Sequence, residues 1–153
     1  MEKILIAIDY TPSAKKVAEA GYKIAKALNA TIILAHAITD PDLYGMPYST
    51  IIVMGYETGF PADLKANIEH IKKEAQNYLD ATVLHLGDKT IQTAVLEGEA
   101  DEAILAYSKK QKVDLIVMGS HRHKGIDSLL LPDVAVKVLK HSKIPLLTIP
   151  TND

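Results

Sequence analysis

The sequence contains no cysteine, no internal repeat and no low-complexity tract. Without cysteine the chain forms no disulfide, performs no thiolate catalysis and offers no cysteine ligand to zinc. Its 153 residues, of which 48% are hydrophobic, match one globular domain with a buried core. We therefore expect a single domain over residues 1–153.

An excess of charge of one sign is also absent. Lysine and arginine total 17 and aspartate and glutamate total 19, so the net charge is −2. This balance argues against a nucleic-acid partner and against attraction to an anionic membrane. The first apolar run, Ile4 to Ile8, is too short for a signal peptide or a membrane span, and no later run is long enough. We expect a cytoplasmic protein.

Motifs of common enzyme classes are missing as well. The sequence has no nucleophile elbow, no Walker loop, no G-x-G-x-x-G and no paired-histidine helix motif. The six histidines show no metal-binding spacing, although His36 ends a predicted strand and could face the same crevice as His121 and His123. We expect no catalytic residue and no metal site, so binding rather than catalysis is the predicted activity.

Short apolar runs alternate with segments of helical periodicity. The runs predict strands at 4–9, 31–38, 90–96, 114–118 and 144–149. Helices are predicted between them, at 11–28, 62–87, 101–112 and 129–141, the first with Thr11 as N-cap and Pro12 at its first position. Because the strands are apolar without alternation, the pattern predicts a parallel sheet with helices on both faces, a doubly wound α/β fold.

The segment from Asp40 to Pro61 interrupts this alternation. It holds several prolines and glycines, yet it is too apolar for a disordered linker. Two interpretations stay open. Its tyrosines and methionines could form a lid or a partner contact, or they could pack on the domain's own helices and at a dimer contact.

Ligands of open α/β sheets bind outside the carboxyl ends of strands, where the winding reverses. If the two halves of the chain wind in opposite directions, strands one and four are neighbours. The pocket should then be built from Asp9-Tyr10-Thr11 and from the segment that begins at Gly119.

Several stretches of the chain, in order and at matching spacing, resemble the universal stress protein family. They are Lys3 to Asp9, Leu34 to Ile38, Asp114 to His121, Gly125-Ile126, Leu129 to Leu131, Val134 to Leu139 and Ile144 to Leu147. The resemblance covers nearly the whole chain except residues 40–61. It implies a five-stranded sheet in the order 3-2-1-4-5, and a homodimer formed by pairing of the fifth strand, Ile144–Ile149, across a two-fold axis.

Many members of the family bind ATP through G-x2-G-x9-G-S/T after the fourth strand. In this chain the first glycine is Gly119, but Arg122, Pro132 and Asp133 occupy the next three motif positions, while Gly125 matches another glycine of that loop. Arg122 hinders close backbone approach, Pro132 removes an N–H donor, and the carboxylate of Asp133 repels phosphate. The resemblance therefore implies a degenerate triphosphate site.

In an alternative hypothesis, the protein still binds a nucleotide. The basic run His121-Arg122-His123-Lys124 could hold phosphates by side chains, while Asp9 accepts ribose hydroxyls and the backbone of Ala37 meets the base. Asp9 would equally well cap the following turn. ATP or AMP, with Mg²⁺, is then the ligand. The complete set of candidate binding residues is Asp9, Tyr10, Thr11, Ala37, Met118, Gly119, His121, Arg122, Gly125, Asp133 and Val134.

The resulting expectation is a universal stress protein that acts by binding, with a degenerate nucleotide site. The alternative is a member that binds ATP or AMP through a modified phosphate loop. A hydrolase acting on a phosphate compound in the same crevice is a third hypothesis.

Overall fold

The apolar runs of the sequence form the strands of one parallel sheet. A computed structural model describes residues 1–38, 62–121 and 134–151 of the chain. Its strands are β1 (Lys3–Ala7), β2 (Thr31–Ile38), β3 (Gln92–Glu97), β4 (Leu115–His121) and β5 (Leu146–Thr151). Its helices are α1 (Ala14–Ala27), α2 (Ala62–Leu86), α3 (Ala100–Lys110) and α4 (Val134–His141). The segment 40–61, with both interpretations of it, lies outside the described residues.

The strands lie in the order β3-β2-β1-β4-β5, and every pairing is parallel. Helices α1 and α2 cover one face of this sheet, and α3 and α4 cover the other. Successive side chains of β1 alternate between the faces, so Ile4 and Ile6 pack under α1 and α2 while Leu5 packs under α3 and α4. The predicted doubly wound α/β fold and its strand order are confirmed.

Several boundaries differ from the sequence-based predictions by one to three residues, and three of them have a clear physical reason. Strand β4 continues to His121 because Gly119 and the two residues after it pair with the end of β5. Strand β5 accordingly runs to Thr151 rather than ending at Ile149. Helix α1 begins at Ala14, not at Pro12, because the Thr11 hydroxyl donates a hydrogen bond to Asp9 instead of capping the helix.

Helices α2 and α4 end where the sequence indicates, and α3 ends at Lys110, two residues before its predicted end. Gly87 follows α2 with φ of +72°, a conformation that glycine adopts without strain, and its N–H donates to the carbonyl of Val83. Of the helix predicted at 129–141, the structure describes Val134–His141. These helices leave the carboxyl ends of the strands free to form a crevice.

Ser108 is an exception to the otherwise apolar interior of the α3–α4 face. Its side chain is fully buried, and within the described ranges its hydroxyl oxygen has no hydrogen-bond partner. An unpaired buried hydroxyl lowers stability because its interaction with water is lost without replacement.

We expect Ser108→Ala to raise the free energy of unfolding by about 1 kcal/mol, measured by urea denaturation. Ser142→Ala is the matched control, because the Ser142 hydroxyl donates to the carbonyl of Ile144 and accepts from its N–H. The free energy of unfolding of that control should fall by about 0.5–1.5 kcal/mol. Equal destabilisation by both variants would contradict the assignment of Ser108 as unpaired.

Candidate functional site

A cavity lies at the carboxyl ends of β1 and β4, where the two halves of the sheet diverge. Six of the candidate binding residues line it: Asp9, Thr11, Ala37, Met118, Gly119 and Val134. Arg122, Gly125 and Asp133 lie outside the described residues. His121 ends β4, and its side chain is likewise not described. The crevice predicted from the strand order is therefore present, with one wall formed by the first half of the chain.

Asp9 organises the turn that leaves β1. Its Oδ1 accepts hydrogen bonds from the Thr11 N–H at 3.0 Å and from the Thr11 hydroxyl at 2.6 Å. Such an Asx-type turn is a common local role of aspartate. The turn-capping role that the sequence left open is thus present. It places Asp9 and Thr11 together at the wall of the cavity.

Behind this turn lies a cluster of three rings that we call the aromatic cluster: Tyr10, His36 and Tyr78. The Tyr10 and His36 ring centroids are 4.2 Å apart, and the Tyr10 and Tyr78 centroids are 4.9 Å apart. The Tyr78 hydroxyl donates a hydrogen bond to the backbone carbonyl of Asp9 at 2.6 Å. Burial, with the nearby charge of Asp9, raises the pKa of Tyr78, so this donor keeps its proton at neutral pH.

Tyr10 differs from the prediction made for it. It was expected among the pocket residues, but it does not belong to the described lining. Its side chain is 57% exposed, and its ring packs on His36 instead. Tyr10 therefore contacts the site through the histidine ring.

Gly119 has a packing role independent of any ligand. A Cβ at this position would lie 3.0 Å from Cγ2 of Val17 and 3.4 Å from Cγ2 of Thr151. Helix α1 approaches β4 so closely that a side chain here needs its neighbours to move. The close packing of α1 is enough to explain why the first motif position holds glycine.

We expect Gly119→Ala to lower the free energy of unfolding by about 1–3 kcal/mol through overpacking. Val17→Ala removes the nearest contacting atom, so the double variant should cost less than the sum of the two single changes. Denaturant titration of the four proteins measures this coupling. Strict additivity would show that the Val17 contact does not constrain position 119.

The described lining is mainly apolar and carries no lysine or arginine. Helix α3 begins beside the cavity with Ala100, and Glu99, Asp101 and Glu102 stand at its start. These acids complement the positive end of the helix dipole. Among the three, none belongs to the described lining, which Ala100 alone reaches from this turn.

Sequence reasoning missed several lining residues. They are Ala7, Ile8, Ser13, Ala14, Val17, Ala100, Ile104 and Thr151, and His36 was noted only as a residue that could face the crevice. Val17 and Ile104 lie on helix faces that the periodicity assigned to the core, and their position at the cavity depends on where each helix starts relative to the strand ends. The one signal available was the strand-end position of His36.

Two features of the described ranges concern metal binding and membrane insertion. Among residues 1–38, 62–121 and 134–151, no group of three or more histidine, aspartate or glutamate side chains is placed to hold a metal ion. The same part of the chain contains no helix that is both long and apolar enough to cross a membrane.

Known proteins are similar to this chain over nearly its whole length. The model of the universal stress protein family matches residues 1–150. Universal stress protein MJ0531 of Methanocaldococcus jannaschii is 28% identical over 97% of this chain and 81% of its own length. Universal stress protein C of Escherichia coli O6:H1 is 25% identical over 96% of this chain and 94% of its own.

Solved structures show the same architecture. A universal stress protein in complex with cAMP aligns with a TM-score of 0.64 at 22% identity, covering 99% of this chain and 98% of its own. The protein MJ0577 aligns with a TM-score of 0.72 at 23% identity, covering 99% of this chain and 97% of its own. A universal stress protein family protein from Arabidopsis thaliana with AMP bound aligns with a TM-score of 0.59 at 17% identity, covering 99% of this chain and 93% of its own. Because the family model matches residues 1–150, this chain belongs to the universal stress protein family.

Proposed function

We propose that this universal stress protein works by binding, and that its cavity takes the adenosine part of an adenine nucleotide. The observation that carries the proposal is the apolar cavity at the ends of β1 and β4, with Asp9 and Thr11 at its wall and Ala37 beside them. Its position matches the ligand-binding edge of open α/β sheets. Structures of the same fold in complex with cAMP and with AMP support the choice of ligand.

The charge of the site favours a monophosphate over a triphosphate. Described lining residues supply no cation, and Glu99 and Asp101 stand close to the cavity at the start of α3. The sequence adds Pro132 and Asp133 at positions where the family motif has glycine and a hydroxyl residue. Each added phosphate therefore contributes repulsion without a compensating contact, unless the basic run that includes Arg122 supplies it.

We expect isothermal titration calorimetry to show micromolar binding of AMP, with ATP and Mg²⁺ binding no more tightly. Ala37→Leu places a larger side chain in the cavity and should abolish measurable binding. Ala106→Leu, the same change at an exposed position of α3, should leave binding intact.

Three outcomes would contradict this proposal. If AMP gives neither heat nor thermal stabilisation at millimolar concentration, the cavity is not an adenosine site. If ATP binds more tightly than AMP and Arg122→Ala removes the difference, the modified phosphate loop holds the triphosphate. The hypothesis of an ATP-binding family member would then replace the hypothesis of a degenerate nucleotide site. Steady ATP hydrolysis that the Ala37→Leu variant lacks would make the protein an enzyme.

We also propose that β5 pairs with β5 of a second copy, and that the assembly is a cytoplasmic homodimer. Strand β5 pairs with β4 on one side, and no described strand pairs with its other side. The carbonyl of Pro145 accepts from Ile116 in β4. Since alternate residues of a strand face opposite edges, Leu146 and Thr148 present their backbone groups to the free edge. The carbonyl of Pro150 accepts a hydrogen bond from Lys16 Nζ at 3.0 Å, so we expect the pairing to involve the first part of β5.

Thr148→Pro tests this pairing because it removes an N–H on the free edge without breaking a bond to β4. We expect it to convert a dimer into a monomer in sedimentation equilibrium, while Thr148→Ala, which keeps the N–H, leaves the dimer intact. A monomeric unmodified chain at micromolar concentration would rule out the dimer.

A further inference from the structure

His36 is held in the wall of the cavity in one orientation. It lies on β2, its side chain is 6% exposed, and it belongs to the cavity lining. Its Nδ1 lies 2.8 Å from the carbonyl oxygen of Ile8, the residue that follows β1. Because a carbonyl oxygen only accepts hydrogen bonds, the proton of this contact is on Nδ1.

The aromatic cluster prevents the ring from turning away. Tyr10 packs on the His36 ring at 4.2 Å with an interplanar angle of 42°, and Tyr78 meets it edge-on at 5.9 Å. Tyr78 is itself fixed by its hydrogen bond to the carbonyl of Asp9. A buried ring with a bonded Nδ1 and two aromatic neighbours is preorganised, so using it for binding costs little conformational entropy.

The second ring nitrogen, Nε2, is left for a ligand. In a neutral imidazole whose proton is on Nδ1, Nε2 is a hydrogen-bond acceptor. Among the described residues, the hydrogen bond of His36 is the one at Nδ1, and none is formed at Nε2. Thr11, another residue of the cavity lining, already donates its hydroxyl and its N–H to Asp9.

We propose that His36 is a specificity-determining residue whose Nε2 accepts a hydrogen bond from the exocyclic amino group of adenine. The inference rests on the proposed adenosine site and names the group that the site selects. An amino group is a donor that matches this acceptor, and a purine without it leaves Nε2 unpaired in a largely apolar cavity.

The binding test compares AMP with purine riboside monophosphate, which lacks only the amino group. The unmodified protein should prefer AMP by about 3- to 10-fold, the effect of one neutral hydrogen bond. His36→Asn can still donate to the carbonyl of Ile8 but lacks an acceptor at the Nε2 position, so it should bind both ligands alike. His36→Gln carries a carbonyl acceptor near the Nε2 position and should recover part of the preference. Thermal unfolding confirms that both variants are folded.

Nitrogen-15 NMR of the histidine side chains provides a second, independent readout. In the neutral form of the His36 ring, Nε2 should be unprotonated, and its resonance should move further when AMP binds than when purine riboside monophosphate binds. A proton on Nε2, or a resonance that AMP leaves in place, would overturn the role of His36.

The two proposals fail in different ways. If the unmodified protein does not bind AMP, the adenosine site is wrong, and the role of His36 falls with it. If AMP binds and His36→Asn keeps the full preference over purine riboside monophosphate, the site stands and only the assignment to His36 is wrong.

Discussion

The structure depends on the complete burial of β1 between two strands and two helix layers. Ile4, Leu5 and Ile6 are fully buried, and the backbone of β1 pairs with β2 on one side and β4 on the other. A central strand buried in this way can change direction only where it leaves the sheet. The chain does so at Asp9, and the cavity forms there because the two halves of the sheet wind away from β1 in opposite directions.

The strands and helices could be predicted because their signals are local. Unbroken apolar runs such as Ile32 to Ala35 indicate strands buried on both faces, and helical spacing indicates the faces of α1 and α2. The strand order came from the family resemblance and from the winding rule. The ends of β4 and β5 could not be predicted, because Gly119 and Ser120 are in a strand only when Ile149 and Pro150 lie beside them.

The site was predictable in its location and less so in its composition. Strand ends at Asp9 and Gly119 mark the cavity, since parallel strands bring their carboxyl ends to one edge. The role of His36 needed Tyr78, which lies far along the chain on α2 and reaches the same turn through the carbonyl of Asp9. Sequence adjacency carries no information about such a contact, and helical spacing assigned this tyrosine no role.

Residues that match a binding motif serve the fold first in this chain. Gly119 allows the close approach of Val17, and Asp9 holds the Thr11 turn, with or without a ligand. A retained motif residue is therefore weak evidence for a retained ligand. The stronger evidence is a group that the fold positions without using. His36 Nε2 is such a group, because Nδ1 alone accounts for the ring's orientation. A single hydrogen-bond acceptor in an apolar wall fits the proposed recognition of a base better than recognition of phosphates.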